Sequence, residues 1–236
     1  MSTPSPQISA EDDRYIRSRF VGLDWLVART KVSRATFLQW QSQGLFPKPT
    51  YVTAEGEQWY SRAYAPLVLR AMYVKTDLKT LFREDYSRAL EQLRYTNPAD
   101  YRAELAKSGT ARARPEAVIE LEWQGFLSGE YGACLRVAWV PCILRKGKLM
   151  RTIDELVAHP NPEAPGWKRR LRQSVDSLDR LEMPFTAWDR VRFGKPVSRD
   201  THIQSIRLRF PHVFGPPRSN PPADRHKAPH PRTVAA

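Results

Sequence analysis

The stretch LDWLVARTKVSRATFLQWQSQGLFPKP, residues 23–49, limits the possible folds more than any other part of the chain, because helix-starting and helix-ending signals are crowded into it. Its first residues have the i, i+3, i+4 apolar spacing of a short amphipathic helix. Ser33 is placed to cap a second helix by accepting a hydrogen bond from a free backbone N–H. Gly44 suits the left-handed position after a helix, and Pro47 and Pro49 prevent continuation. The pattern predicts a helix-turn-helix.

A small β-hairpin is predicted directly after the two helices. The stretch PTYVTAEGEQWYS, residues 49–61, has β-forming residues on either side of Ala54-Glu55-Gly56. A hairpin in this place has the position of a wing. The sequence therefore predicts a mainly α fold that begins with a winged helix-turn-helix-like domain and a trailing helix, over residues 12–95.

Two further boundaries follow from composition. Residues 96–115 are polar and contain two prolines, so they are predicted to link the first domain to a second one. Helical patterns fill residues 116–210, which are expected to form a helical C-terminal domain. Residues 211–236 contain seven prolines and few apolar groups, and this pattern is typical of a disordered tail.

Positive charge is concentrated in the C-terminal part of the chain. The net charge is +13; residues 1–76 hold 10 Lys+Arg and 6 Asp+Glu, and residues 77–133 hold 8 and 10. Residues 134–236 hold 20 and 9, a surplus of +11 (20 − 9). This balance favours a polyanionic partner such as DNA, RNA or an anionic surface. The alternative is an arginine-rich composition that reflects no partner.

Several classes of protein are not indicated. No run approaches the roughly 18 apolar residues that span a bilayer, and the N-terminus has no secretory signal pattern, so no membrane partner is expected. Cys134 and Cys142 do not suggest a disulfide framework, and a reduced, cytoplasmic location fits best. No phosphate loop, dinucleotide fingerprint, metal-ligand spacing or nucleophile–base set is present, so no metal or cofactor is expected.

The helix-turn-helix resembles the opening of MerR-type winged-helix regulators. The matching positions are Val32, Ser33, Arg34, Thr36, Phe37, Trp40, Gly44, Leu45 and Pro47. The resemblance implies double-stranded DNA as a partner. The expected contacts from the second helix are Ser33, Arg34, Thr36 and Gln39, and those from the wing side are Lys48 and Arg62.

The second helix departs from the usual composition of a DNA reader. After Phe37 it carries Leu38 and three glutamines but no lysine or arginine. Glutamine can read adenine edges, but affinity for DNA depends largely on neutralising phosphates. An exposed Leu38 is more natural at a protein interface. A protein partner or a second copy of the chain therefore stays open beside DNA.

The C-terminal half carries a second resemblance. The motifs are FLSGEYGACLR (126–136), RKGKLM (145–150), DSLDRLEMPF (176–185) and DRVRFGKPVSRD (189–200). They are similar to an uncharacterised bacterial family, common in actinobacteria, that carries only the label of natural-product biosynthesis proteins. The resemblance implies an accessory or regulatory role in a specialised-metabolite pathway, and it implies no catalytic residues.

Three glycines suggest an alternative, a pathway enzyme with a site near the Gly125–Gly132 face. Gly125, Gly129 and Gly132 are four and three residues apart, so on one helix they would share a face. Small residues there would let another backbone come close. The functional interpretation is a notch that admits a ligand. Its polar walls would be Glu130, Tyr131 and Arg136, with Cys134 nearby.

Two charge patterns on a predicted helix, residues 167–182, complete the candidates. Four cations crowd its start, where the helix dipole disfavours them: Lys168, Arg169, Arg170 and Arg172. They indicate either a phosphate or acidic partner, or simply a solvated face. Three carboxylates follow at a spacing of three: Asp176, Asp179 and Glu182. They could hold a metal or act in acid–base chemistry, or pair with arginines such as Arg172 or Arg180.

Overall fold

The computed structural model describes residues 8–109, 114–194 and 196–215. The fold is mainly α with one small antiparallel sheet, as the sequence predicts. The N-terminal elements are α1 (Ala10–Arg19), β1 (Phe20–Gly22), α2 (Leu23–Thr30), α3 (Arg34–Ser42), β2 (Tyr51–Val52), β3 (Gln58–Ser61) and α4 (Tyr64–Tyr73).

The sheet has the strand order β1-β3-β2. Tyr51 of β2 pairs with Trp59 of β3, which confirms the predicted hairpin. Val21 of β1 pairs with Tyr60 on the other edge of β3. The sequence analysis missed β1, because a three-residue strand is too short to show an alternating pattern.

The turn between α2 and α3 and the end of α3 follow the predicted local signals. The Ser33 side chain accepts a hydrogen bond from the backbone N–H of Thr36, so the predicted cap is confirmed. Gly44 has a φ of +67° after the end of α3. Its N–H donates to Gln41 O at 3.1 Å, and Leu45 N donates to Trp40 O at 2.8 Å. These two bonds form a Schellman motif, which satisfies the last carbonyls of the helix.

The remaining elements are all helical. They are α5 (Leu78–Thr96), α6 (Pro98–Ala106), α7 (Pro115–Leu127), α8 (Glu130–Cys134), α9 (Val140–Ala158), α10 (Pro165–Leu181), α11 (Ala187–Arg192), a π-helical turn (Arg199–Gln204), α12 (Ser205–Arg209) and α13 (Pro211–Phe214).

Two local predictions need correction, and Ser198, at the start of the π-helical turn, has a contact that the sequence does not indicate. Helix α6 lies inside the stretch 96–115 that the sequence predicts to be a linker; the Asn97 side chain caps it by accepting from Asp100 N. The predicted disordered tail begins with α13, whose Val213 is buried in a hydrophobic cluster; residues 216–236 lie outside the described residues. Ser198 does not cap a helix with its side chain and instead donates a hydrogen bond to Glu182.

The largest core crosses the predicted boundary between the domains. Aromatic side chains form a row of successive contacts through this core. The ring centroids of Phe37 and Phe46 are 4.8 Å apart, those of Phe46 and Tyr64 5.8 Å, and those of Tyr64 and Phe126 5.5 Å. A second, smaller core contains residues of α9, α10 and the last helices, such as Leu171. The predicted first domain therefore shares its core with α7, while the last helices have a core of their own.

The wing is attached to α11 from the other end of the chain. The Tyr51 hydroxyl donates to Asp189 Oδ2 at 2.9 Å, and Arg192 Nη1 donates to Thr50 O at 2.5 Å. The Arg192 guanidinium also lies 4.6 Å from the centre of the Tyr51 ring. The carboxylate of Asp12 in α1 accepts from backbone N–H groups at the start of α11. Thr50 and Tyr51 are therefore buried, whereas Val52 and residues 54–58 of the hairpin are exposed.

Candidate functional site

Two of the predicted DNA contacts hold the start of α3. The Ser33 hydroxyl lies 2.8 Å from the Thr36 hydroxyl and also accepts from Thr36 N. Both side chains are therefore engaged in the local cap. Gln39 is exposed on the outer side of the helix. The structure brings the three residues to the same side of α3. The side chains of Ser33 and Thr36 are used in the cap, whereas the Gln39 amide is exposed to solvent.

Arg34 is the one cation of α3, and it is paired within the protein. Its Nη2 lies 2.9 Å from Asp24 Oδ1 of α2. The neighbouring outer surface is apolar, since Leu38 is 45% exposed and Trp25 of α2 is 39% exposed. The exposed outer residues of α3, called the α3 face below, are Arg34, Ala35, Leu38, Gln39 and Ser42.

The tip of the wing is acidic. Glu55 and Glu57 are exposed, and Glu57 Oε2 lies 2.6 Å from Arg17 Nη2 of α1. The predicted wing-side contacts Lys48 and Arg62 are also exposed, and neither forms an ion pair within the part of the chain that the structure describes. The surface around α3 thus combines one paired arginine, a few separate cations and an acidic tip.

The expectation that three glycines share one helix face is wrong. Helix α7 ends at Leu127, and Gly129 has a φ of +80°, so the chain turns there before α8 begins. A left-handed residue interrupts the helix and separates Gly125 from Gly132.

The space at these glycines is filled by the protein itself. A Cβ atom on Gly129 would lie 3.1 Å from the Lys48 carbonyl oxygen. A Cβ on Gly132 would lie 2.6 Å from the Tyr64 hydroxyl and closer still to Thr50 Oγ1. The glycines therefore allow the segment before β2 to approach α8, and they do not form an open notch.

The three residues predicted to line the notch, Glu130, Tyr131 and Arg136, lie in different environments. The Tyr131 hydroxyl donates to Glu122 Oε2, and the carboxylate of Glu122 is buried. Glu130 is half-buried at the start of α8, and Arg136 is exposed after its end. Ligand binding by these residues stays a prediction, now without the notch on which it was based.

Cys134 has the properties of a core thiol. It is buried, both cysteines are free, and burial raises the pKa of the Cys134 thiol to about 11. Lys146 and Glu182 pair next to it at 3.0 Å. A thiol with this pKa is almost fully protonated at neutral pH and is a poor nucleophile.

A buried ionic cluster joins α5, α6 and α7, and the sequence analysis missed it. Glu104 and Glu122 are buried, and Lys107 Nζ lies 2.5 Å from Glu104 Oε1 and 2.8 Å from Glu122 Oε1. The Tyr86 hydroxyl donates to Glu104 Oε1 at 2.6 Å. Burial alone would lower the pKa of Lys107, but the two carboxylates outweigh it and raise that pKa. Lys107 therefore stays charged between Glu104 and Glu122. No local sequence motif indicates this cluster, because its residues come from separate helices.

A groove of about 350 Å3 lies beside this cluster, between α5, α6 and α9. Glu104 and Asp100 reach it from α6, and Lys148 and Arg151 from α9. Arg151 lies 3.0 Å from Asp100 and 3.4 Å from Glu104, and Lys148 lies 3.1 Å from Asp100. Both carboxylates are therefore already compensated by cations of the protein.

The three carboxylates of α10 also form ion pairs. Asp176 pairs with Arg207, Asp179 with both Arg199 and Arg207, and Glu182 with Lys146. The pairing with cations is as expected, but the expected partners Arg172 and Arg180 are not the ones used. The π-helical turn packs against α10, and Arg199 of this turn and Arg207 of α12 reach the carboxylates instead. Within residues 8–109, 114–194 and 196–215, no three His, Cys, Asp or Glu side chains are grouped as a metal site.

The described helices also include none with the length and apolar character needed to cross a bilayer. The architecture thus defines a mainly α protein in which a helix pair and a three-stranded sheet share a core with the helices that follow. Residues 78–211, more than half of the chain, match a family of unknown function (DUF6058), and the protein belongs to this family. No curated protein and no solved structure matches the chain.

Proposed function

We propose that the protein is an accessory or regulatory protein of a natural-product pathway, and that its winged helix-turn-helix binds a protein partner through the α3 face. The pathway assignment rests on the sequence resemblance of the C-terminal half. The binding mode rests on the surface chemistry of α3 and the wing.

The pairing of Arg34 with Asp24 is the observation that carries the proposal. Affinity for DNA depends on cations that are free to neutralise phosphates. On α3 the only cation already has a carboxylate at 2.9 Å, so a phosphate would compete with Asp24 for it. An intramolecular pair of this kind suits a surface whose partner is not a polyanion.

Apolar and amide groups dominate the rest of the α3 face. Leu38 is 45% exposed in the middle of the helix, with Gln39 beside it. The exposed indole of Trp25 lies on the neighbouring surface, and aromatic side chains are enriched at protein interfaces. Glu55 at the wing tip would repel a phosphate backbone and can instead meet a basic group of a protein, whereas Glu57 is already paired with Arg17.

Duplex DNA is the second candidate, and two cations favour it. Lys31 precedes α3 and Lys48 follows it; both are exposed and form no ion pair among the described residues. The order α1-β1-α2-α3-β2-β3 also places a hairpin after the second helix, as the resemblance to MerR-type regulators implies. DNA binding would then depend on cations at the two ends of α3 rather than on its face.

A binding assay with duplex DNA separates the two candidates. The full chain is titrated, at low and at physiological salt, with labelled DNA from upstream of its own operon and with an unrelated duplex of equal length. We expect no salt-sensitive binding at micromolar protein, and no change on substitution Arg34→Ala. Specific binding that Arg34→Ala or Lys48→Ala weakens would establish the second candidate instead.

The protein interface is tested with the products of neighbouring genes. Each is co-expressed with the full chain, and complex formation is measured by size-exclusion chromatography with light scattering. Leu38→Asp should abolish the complex, whereas Val137→Asp, at a similarly exposed apolar residue outside the α3 face, should leave it intact. Equal loss with both variants, or no complex with any of these products, would contradict the proposal.

The enzyme alternative now lacks its geometric basis. It required an open notch at the Gly125–Gly132 face, and the segment 48–50 and Tyr64 occupy that space.

A further inference from the structure

A cationic cleft lies between α10 and α13, on the opposite part of the chain from α3. It has a volume of about 350 Å3 and is lined by Lys168, Arg169, Arg172, Gln173, His212 and Val213. Three of these side chains are permanently charged cations, one is a histidine, and none is a carboxylate. The cleft thus combines a concave shape with a single sign of charge.

No carboxylate among the described residues compensates Lys168 or Arg169 of the cleft. Lys168 and Arg169 form no ion pair in the described ranges. On the second half of the same helix, by contrast, Asp176 and Asp179 pair with arginines of other elements. Within the part of the chain that the structure describes, the cations of the first half of α10 therefore have no carboxylate partner, and neither has Arg180 at its other end.

The arrangement of these cations costs stability in the absence of an anion. Lys168 and Arg172 are four residues apart on one helix, and like charges at this spacing repel each other and destabilise the helix. Lys168 also lies at the end of the first turn of α10, where the helix dipole disfavours positive charge and where no acidic residue is present. A bound anion would reverse both effects.

One guanidinium is already held in position. Arg172 Nη2 donates a hydrogen bond to the backbone carbonyl of Val213, which belongs to α13. This bond restricts the Arg172 side chain and leaves its other N–H groups to donate elsewhere. A planar guanidinium with fixed orientation can bind two oxygens of a phosphate at once, which a mobile lysine cannot do.

We propose that the cationic cleft binds the phosphate group of a small phosphorylated molecule. The concave shape favours one compact phosphate that contacts Lys168, Arg169 and Arg172 together. An extended polyanion would instead need cations spread along a surface. The remaining lining residues, Gln173 and His212, are placed to contact the ester part of the ligand. This site is independent of the α3 face and of the proposed function.

The test measures binding of inorganic phosphate and of phenyl phosphate to the full chain. Both are titrated by isothermal calorimetry and by thermal denaturation at constant ionic strength, with sodium chloride as the compensating salt. We expect both to bind and to raise the midpoint of unfolding. The double substitution Lys168→Gln/Arg169→Gln should raise the dissociation constant about tenfold or more, because it removes two charge-assisted contacts.

Two further variants separate this site from general charge effects. Arg180→Gln removes an exposed arginine at the other end of α10 and should leave phosphate affinity unchanged. Arg172→Lys retains the charge but removes the bidentate donor, so it should weaken binding less than the double substitution. Circular dichroism verifies that each variant keeps the helical content of the native protein.

Each other outcome would overturn the proposal. Equal weakening by Arg180→Gln would mean that phosphate only screens the net charge. No stabilisation beyond that of chloride would mean that the cleft does not bind phosphate. Binding of duplex DNA through Lys168 and Arg169, without binding of phenyl phosphate, would identify the cleft as a polyanion surface instead.

Discussion

Helices α3 and α10 both carry cations in their N-terminal halves, but the surrounding residues differ. On α3 the single cation, Arg34, is paired with Asp24. On α10, Lys168 and Arg169 line a cleft that contains no carboxylate. A sequence pattern that resembles a helix-turn-helix, in a protein of net charge +13, invites the conclusion that the charge serves DNA binding. The comparison indicates that the surface best suited to an anion lies at the other end of the chain.

The same contrast occurs within α10. Its first half has unpaired cations, and its second half has carboxylates that are each paired with arginines from later elements. Charges that hold the fold together are therefore distinguishable from charges that are left for a ligand. Four predictions test this distinction, and they are given from the largest expected effect to the smallest.

The largest effect is expected at a carboxylate that joins elements. Asp179→Ala removes the partner of Arg199 and Arg207, whose side chains are partly buried, at 2.5 Å and 2.9 Å. It should lower the free energy of unfolding by about 1–3 kcal/mol, measured by urea denaturation. Lys168→Ala on the same helix should change it by less than about 0.5 kcal/mol. Similar losses for both variants would contradict the comparison.

The second effect concerns the binding of phosphate. Lys168→Gln/Arg169→Gln removes two cations of the cleft and should raise the dissociation constant of phenyl phosphate about tenfold. Arg17→Gln/Arg34→Gln removes two cations that are already paired, and its effect should be clearly smaller. The readout is the dissociation constant from isothermal calorimetry at constant ionic strength. A larger increase for the second pair would place the anion-binding surface near α3.

The third effect depends on pH. Burial alone would raise the pKa of Asp179, but the guanidinium groups of Arg199 and Arg207 outweigh it and hold the pKa below its ordinary value of 3.8. A depressed pKa in the folded state means that the stabilisation is fully present above the unfolded pKa and is lost as pH falls below about 4. The difference in stability between the native protein and Asp179→Asn should therefore be constant near neutral pH and shrink on acidification. A difference that grows on acidification would have the wrong sign.

The smallest effect is the release of Arg34. Asp24→Asn removes the partner of Arg34, and since the Asp24 side chain is 83% exposed, stability should change by less than about 0.5 kcal/mol. Weak binding of duplex DNA, which we do not expect for the native protein at micromolar concentration, should become measurable at low salt, because α3 then has a free cation. Glu163→Gln, which makes the same charge change far along the chain, is the control. An unchanged affinity would mean that the pair does not limit DNA binding.

The predictions from sequence succeeded where the signal is local. Ser33 and Thr36 are three residues apart, and the cap between them needs no other part of the chain. The hairpin around residues 54–56 and the end of α3 at Gly44 follow from turn chemistry in the same way. The glycine face failed for the opposite reason. The spacing of the glycines places them on one face only if the helix is continuous. The chain turns at Gly129 instead, where it packs against the segment 48–50.

The sequence by itself determined the helical class, the helix-turn-helix signals and the location of the positive charge in the last part of the chain. The tertiary structure alone decided which charges are paired and which are free. Arg34 meets a carboxylate 10 residues away, and Arg172 meets the Val213 carbonyl 41 residues away. Local capping acts over one helical turn, whereas ion pairs and clefts depend on how distant elements pack. The sequence therefore could not show that Arg34 is paired with Asp24, nor that Lys168, Arg169 and Arg172 line one cleft.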